Sequence, residues 1–174
     1  MTAWNKKRRI MRHYEQSARV YDGLYGEEQQ AKVKTALSNL SLKHDDLILD
    51  AGCGTGLLFE QVARKTGLTV GTDASLGLLG EAKKKAKTHK NVALVQADSD
   101  HLPFRDEIFH LVFAITVLQN MPSPQATLDE IKRVSRPNAK IIVTGLRKTF
   151  TQKTFEKTLT RARLKAEILA PDEK

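Results

Sequence analysis

Apolar residues recur at helical spacing through residues 1–40 and then gather in short dense runs, so the chain reads as two opening helices followed by alternating strands and helices. Met11, Tyr14, Ala18 and Tyr21 keep a helical stripe within residues 3–21, and Val33, Ala36, Leu37 and Leu40 keep one within 27–40. Turn-prone Asp22-Gly23 and Gly26 are expected to separate these helices. Leu47-Ile48-Leu49 then predicts a first strand, Leu57 to Lys65 a helix after a glycine-rich turn, and Leu68-Thr69-Val70-Gly71-Thr72 a second strand. Ser75 is placed to cap a helix reaching about Lys87, Val92 to Gln96 is a third strand, and Leu111 to Ile115 a fourth. Ser123 followed by Pro124 marks a helix start with proline at its first position. Leu128, Ile131 and Val134 give that helix its buried stripe, ahead of Pro137 and a fifth strand from Lys140 to Thr144. Residues 150–163 read as a helix and Leu164 to Ala170 as a sixth strand. Short apolar strands alternating with helices imply right-handed crossovers, hence an α/β, doubly wound, mostly parallel sheet with helices on both faces.

A chain of 174 residues suffices for one core and not for two, so a single domain over residues 1–174 is expected. With 40% apolar and 28% charged residues, it falls outside disordered or fibrous compositions. The longest apolar run, near Leu111 to Leu118, is far short of the roughly 18 to 20 residues that span a bilayer. The opening Met1-Thr2-Ala3-Trp4-Asn5-Lys6 leads into charge rather than an apolar signal core, so a cytoplasmic protein without a membrane partner is expected. One cysteine, Cys53, excludes an internal disulfide, a thiolate metal cage and a Cys-x-x-Cys redox pair. The net charge of +9 is clustered: Lys6, Lys7, Arg8, Arg9, Arg12 and Arg19 near the start, and Arg147, Lys148, Lys153, Lys157, Arg161, Arg163 and Lys165 near the end. Two basic ends suit the phosphates of RNA, and equally suit solvated helix faces.

The chemistry concentrates in Leu49-Asp50-Ala51-Gly52-Cys53-Gly54-Thr55-Gly56, between the first strand and the first crossover helix, where a doubly wound fold places its ligand crevice. The dinucleotide fingerprint G-x-G-x-x-G requires glycine at position 57, which is Leu57, and no G-x-x-x-x-G-K-[ST] is present, so NAD, FAD and nucleoside triphosphates are disfavoured. Further stretches follow in order: Val70-Gly71-Thr72-Asp73-Ala74-Ser75, then Gln96-Ala97-Asp98-Ser99-Asp100-His101-Leu102-Pro103-Phe104, then Phe109-His110-Leu111-Val112-Phe113-Ala114 leading to Val117-Leu118. With Tyr14-Glu15-Gln16-Ser17-Ala18-Arg19-Val20-Tyr21-Asp22 at the front, residues 14–145 resemble the class I S-adenosylmethionine-dependent methyltransferases. The specific resemblance is to the type 11 group, which includes ubiquinone and menaquinone C-methyltransferases and tRNA wobble-uridine methyltransferases.

The resemblance implies a Rossmann-like fold and S-adenosyl-L-methionine as cofactor. It divides the chain into a helical lid or substrate region (1–40), a cofactor-binding core (45–145) and a C-terminal helix with a strand (146–174). The cofactor carries a ribose diol, an adenine amine and an α-ammonium, all donors that carboxylates accept from strongly. Asp73 is placed to bind both ribose hydroxyls, Asp98 the adenine amine, and Asp50 lies nearest the methionine ammonium. The bland readings are a helix N-cap for Asp73 and a turn residue for Asp98. The implied cofactor set adds Tyr21, Gly52, Cys53, Gly54, Gly56, Ala74, Ser99, Ala114, Ile115 and Gln119, with no metal. Methyl transfer from a sulfonium relies on alignment rather than a covalent intermediate. A base is required only if the acceptor must lose a proton, and His101, His110 and Asp100 are its candidates, each with a structural alternative.

Absences narrow the acceptor. After the fourth strand the chain reads Ala114-Ile115-Thr116-Val117, not the [DN]-P-P-[YFW] run of the related enzymes that methylate exocyclic base amines. Cys53, held in the glycine loop, does not serve as the nucleophile for pyrimidine C5 methylation. The leading expectation is an RNA acceptor, specifically tRNA, held by both basic ends. The alternatives are a small-molecule O-, C- or N-methyltransferase and a non-catalytic S-adenosylmethionine-binding subunit. Since the group closes its sheet with an antiparallel strand pair, and one candidate strand follows the fifth, an incomplete C-terminal sheet edge is expected, open to a protein partner or reflecting a shortened chain. Lys6, Lys7, Arg8, Arg9 and Arg12 are expected to face outward beside the crevice.

Overall fold

In the computed structural model, which describes residues 2–167, β1 (Leu47–Ala51), β2 (Leu68–Asp73), β3 (Val92–Gln96), β4 (Phe109–Ala114) and β5 (Ser135–Val143) form one sheet. The order is β3-β2-β1-β4-β5 and every pairing is parallel. The near-continuous apolar runs of β1 and β4 have this cause: a parallel sheet is covered on both faces, so successive residues are buried on opposite sides. Leu49, Ala51, Val112 and Ala114 pack on one face with Ile131 and Val134 of α5 (Pro124–Val134). Ile48, Leu111 and Phe113 pack on the other with Val33 and Ala36 of α2 (Tyr21–Ser38) and Val62 of α3 (Phe59–Val62). α4 (Leu76–Ala86) adds Leu79 and Ala82 against Phe59 and Cys53, while α6 (Gln152–Arg161) sets Leu159 against Leu118 and Leu128.

The expected caps are in place. Ser75 accepts the N–H of Leu78 at the start of α4, and Ser123 accepts that of Ala126 with Pro124 in the first turn of α5. Three boundaries differ from the sequence reading. The first helix, α1, spans Ala3–Ser17, one 3₁₀ turn (Ala18–Val20) follows, and α2 begins at Tyr21, so Asp22, Gly23 and Gly26 are helical rather than a turn. Two glycines cost a helix about 1 kcal/mol each relative to alanine, but burial along Gly26, Gln29, Val33 and Ala36 overrides that preference. Second, β5 begins at Ser135, ahead of the expected Lys140: Phe109 pairs Ser135 and Leu111 pairs Lys140, and the residues between them bulge outward with Asn138 at φ 66°. Third, Leu164 to Glu167 forms no strand, and the rest of the expected sixth strand, 168–170, lies outside the described residues. Among the described residues β5 has β4 as its one strand neighbour.

Candidate active site

The carboxyl ends of β1, β2 and β4 meet at a topological switch, where β1 is flanked by β2 on one side and β4 on the other. Asp50 is the next-to-last residue of β1 and Asp73 the last of β2, while Asp98 lies two residues beyond β3. The glycine loop after β1 is pinned by the N–H groups of Gly52 and Cys53, both donating to the Thr72 carbonyl at 2.8 Å. Gly52, Gly54 and Gly56 all adopt positive φ. A Cβ at Gly52 would meet Val117 Cγ2 at 2.5 Å, so that glycine serves packing, whereas a Cβ at Gly54 would meet nothing within 4 Å. The loop backbone therefore borders open space at Gly54, as a surface that receives a ligand must.

Asp73 turns its carboxylate inward over this loop, accepting the Gly54 N–H and the Ser75 N–H at 2.9 Å each. The helix cap of α4 is Ser75, so the N-cap alternative for Asp73 does not hold. Burial pushes the Asp73 carboxyl up despite those bonds. Asp50 is buried, and no donor among the described residues reaches its carboxylate; burial first, then repulsion from Asp73, pushes it up to about 7. A buried carboxylate without a partner, beside an open glycine turn, is suited to a cationic ligand group. These acceptors thus fit the donor groups of the expected cofactor. Cys53 is buried, with its thiol pushed well up by burial, which works against the thiolate a nucleophile requires.

Helix α1 lies over these loops. Tyr14 accepts a hydrogen bond from Asn120 Nδ2 at 3.0 Å, and the rings of Tyr14, Tyr21 and Tyr25 form a row with centroids 6.0 and 5.2 Å apart. Burial raises the hydroxyl pKa of both Tyr14 and Tyr21, and the charge of Asp73 adds to each. Glu15 accepts the Ser75 hydroxyl at 2.7 Å and the Gly77 N–H at 3.0 Å, fastening α1 to the start of α4. Asp22 accepts the Thr55 hydroxyl and pairs Lys85 at 2.6 Å, fastening α2 to the glycine loop. Beyond β4, Thr116 holds φ 62°, unusual for a β-branched residue, with its N–H on Thr144 Oγ1 and its hydroxyl donating to Gln29. Gln119 donates to the Thr116 carbonyl, and its buried Oε1 meets no donor among the described residues.

The remaining expected residues fall as follows. Ile115 packs into the core beneath α2, leaving its backbone alone for the crevice. Ala114 is fully buried, and Ala74 contributes its carbonyl to Gln96 Nε2. Ser99 is buried in the loop after β3. His110 sits at the opposite end of β4, where Nδ1 accepts the Leu47 N–H at 2.9 Å and Nε2 meets Arg136 at 2.7 Å, so both ring nitrogens are engaged away from the crevice. Asp100 is committed to Lys7 and to the Thr127 hydroxyl, and His101 is exposed at the rim. The outward basic run is also corrected. Lys7 turns in to Asp98 and Asp100, and Lys6 donates to the Met121 carbonyl, leaving Arg8, Arg9 and Arg12 exposed along an open groove of 570 Å³ with Asn5, His13 and Gln16.

A five-stranded parallel sheet with a glycine turn and strand-end carboxylates under a helical lid defines a class I S-adenosylmethionine-dependent methyltransferase domain. Comparison with known proteins agrees: the family described as "Methyltransferase domain" matches residues 49–143, and the chain belongs to that family. The chain is 32% identical over 119 residues to a demethylmenaquinone methyltransferase of Staphylococcus saprophyticus, covering 67% of this chain and 51% of the relative. It is 29% identical over 150 residues to a malonyl-[acyl-carrier protein] O-methyltransferase of Marinomonas sp., covering 84% and 54%. Its fold matches the methyltransferase solved in complex with the Haloferax volcanii Trm112 methyltransferase activator, with TM-score 0.70, 22% identity and coverage of 75% and 58%. The chain thus spans about half the length of the curated relatives it matches.

Proposed function

We propose that the chain catalyses methyl transfer from S-adenosylmethionine to a small acceptor admitted beneath α1 and α2. Asp73 would hold the ribose hydroxyls, Asp50 the methionine ammonium and Asp98 the adenine amine. The observation that carries this reading is the partnerless buried carboxylate of Asp50 beside the open face of Gly54. Bound there, the cofactor supplies an electrophilic methyl on a sulfonium, whose departure as a neutral thioether requires no covalent bond to the enzyme. The protein's part is to orient the acceptor and exclude water, which positioned side chains do without a dedicated base. Tyr14 and Tyr21, whose hydroxyls stay protonated through neutral pH, would line the acceptor side and present aromatic faces. The small-acceptor choice is supported by that aromatic lid and by the inward turn of Lys6 and Lys7, and the demethylmenaquinone enzymes among the relatives agree with it.

The test is calorimetric binding of S-adenosylhomocysteine to the parent and to Asp73→Ala. Micromolar binding is expected in the parent. Loss of two charge-assisted hydrogen bonds, each about 1.5 to 3 kcal/mol, weakens it on the order of a hundredfold or more in the variant. Unchanged affinity removes Asp73 from the site, and NADH bound as tightly as the cofactor overturns the assignment. An RNA acceptor is the second reading, favoured by the exposed face of Arg8, Arg9 and Arg12 on the lid. Replacing all three with Ala should reduce the slope of log affinity for tRNA against log salt by roughly two to three. An unchanged slope leaves the small acceptor alone. A protein partner at the edge of β5 that no other strand among the described residues covers remains part of the proposal, its test being co-purification of a second chain in fixed stoichiometry.

A further inference from the structure

We propose that Lys7 is a positioning residue of the adenine subsite, carried in by the lid helix to hold Asp98 toward the exocyclic amine. This inference rests on the reading of Asp98 given above. Lys7 Nζ lies 2.6 Å from Asp98 Oδ2, 2.8 Å from Asp98 Oδ1 and 2.5 Å from Asp100 Oδ2. The two carboxylates sit on one tight turn, in which the His101 N–H donates to the Asp98 carbonyl and the Asp100 N–H to Asp98 Oδ1. Like charges so close repel, and one ammonium between them removes the repulsion while fixing both side chains. Their roles differ. Side-chain exposure is 13% for Lys7 and 10% for Asp100 but 27% for Asp98, so Asp98 keeps a face for a ligand while Asp100 is anchored on Thr127 of α5. Burial works against the Lys7 ammonium, yet its bonds to Asp100 and Asp98 raise it above its ordinary range, so it stays cationic.

The lid supplies the second half of the argument. No residue of α1 is fully buried, and its inward face (Lys7, Met11 and Tyr14) is half-buried, so polar ties carry much of the helix's hold on the domain. Those ties are Lys6 to the Met121 carbonyl, Lys7 to Asp98 and Asp100, Tyr14 to Asn120, and Glu15 to Ser75 and Gly77. Their partners lie on the loops after β2, β3 and β4, the walls of the crevice. Docking of α1 and completion of the adenine subsite are therefore one event.

Titration calorimetry on the full chain tests this with two probes, S-adenosylhomocysteine and its analogue whose base is purine without the 6-amine, in the parent, Lys7→Gln, Lys7→Arg and Asp98→Asn. The parent should prefer the amine-bearing ligand by tenfold or more. Lys7→Gln should lose about tenfold for S-adenosylhomocysteine and less than twofold for the purine analogue, matching Asp98→Asn. Lys7→Arg, which keeps the charge between the carboxylates, should recover most of the loss. Equal weakening of both ligands in Lys7→Gln, or none, overturns the assignment of Lys7 while leaving Asp98 in place. Absence of any amine preference in the parent overturns the Asp98 reading itself.

Discussion

Asp50 provides a quantitative handle on the site, because its carboxyl is pushed up to about 7 by burial and by Asp73. At pH 7 about half of the free protein would carry Asp50 ionised, and at pH 5 about one part in a hundred. A ligand ammonium pairs with the ionised form alone, so affinity for S-adenosylhomocysteine should fall about fifty-fold between pH 7 and pH 5. Binding at pH 6 should release nearly one proton, which calorimetry in buffers of different ionisation enthalpy measures directly. The same shift makes a stability statement. Between about pH 4 and pH 7 the folded chain holds this proton while the unfolded chain has released it, so stability of the free protein declines as pH rises across that window. The decline attributable to Asp50 is about 4 kcal/mol, from about 1.4 kcal/mol per unit, and the bound ammonium should abolish it. Asp50→Asn should bind weakly, release no proton and lack that pH dependence. Binding in the parent that is flat from pH 5 to pH 7 with no proton released would refute the pairing of Asp50 with the ammonium.

The glycine loop separates packing from binding. Gly52→Ala, whose Cβ would lie 2.5 Å from Val117 Cγ2 at φ 74°, should lower stability by about 2 kcal/mol or more in denaturant titration. Gly54→Ala, at φ 54° but facing open space, should cost about 1 kcal/mol of stability and yet lose cofactor affinity at least tenfold. Glu15→Ala removes the lid's hold on Ser75 and Gly77, and should speed amide hydrogen exchange across residues 3–17 while leaving the sheet's protection unchanged.

The alternation of short strands and helices was legible because its signals are local. Ser75 and Ser123 are strong caps at the head of each apolar stripe, and the apolar runs of β1 and β4 are what a sheet covered on both faces demands. The start of α2 was not legible, because the buried stripe there is carried by Gly26 and Gln29, residue types that signal turn and surface. Gln29 is buried because Thr116 Oγ1 donates to it, and Thr116 lies 87 positions away. The early start of β5 was hidden by its bulge, which breaks the strand pattern around Pro137 and Asn138.

The site divides along the same line. The placement of Asp50, Asp73 and the glycines at the carboxyl ends of β1 and β2 could be read off because where a strand ends depends on a few neighbouring residues. The ties of the lid could not be read so directly, since Lys7 and Glu15 meet partners 91 and 62 positions away and by type resemble any charges on a solvated helix. A signal was nevertheless present. Positions 7, 11, 14 and 18 share one helical face, so the inward stripe of Met11, Tyr14 and Ala18 already contained Lys7. A charged residue on an inward stripe must either snorkel out or find a counter-charge, and the loop after β3 offers two carboxylates. The basic run is therefore not one outward face. Read position by position, it divides into Lys6 and Lys7, which close the crevice, and Arg8, Arg9 and Arg12, which remain exposed on the lid.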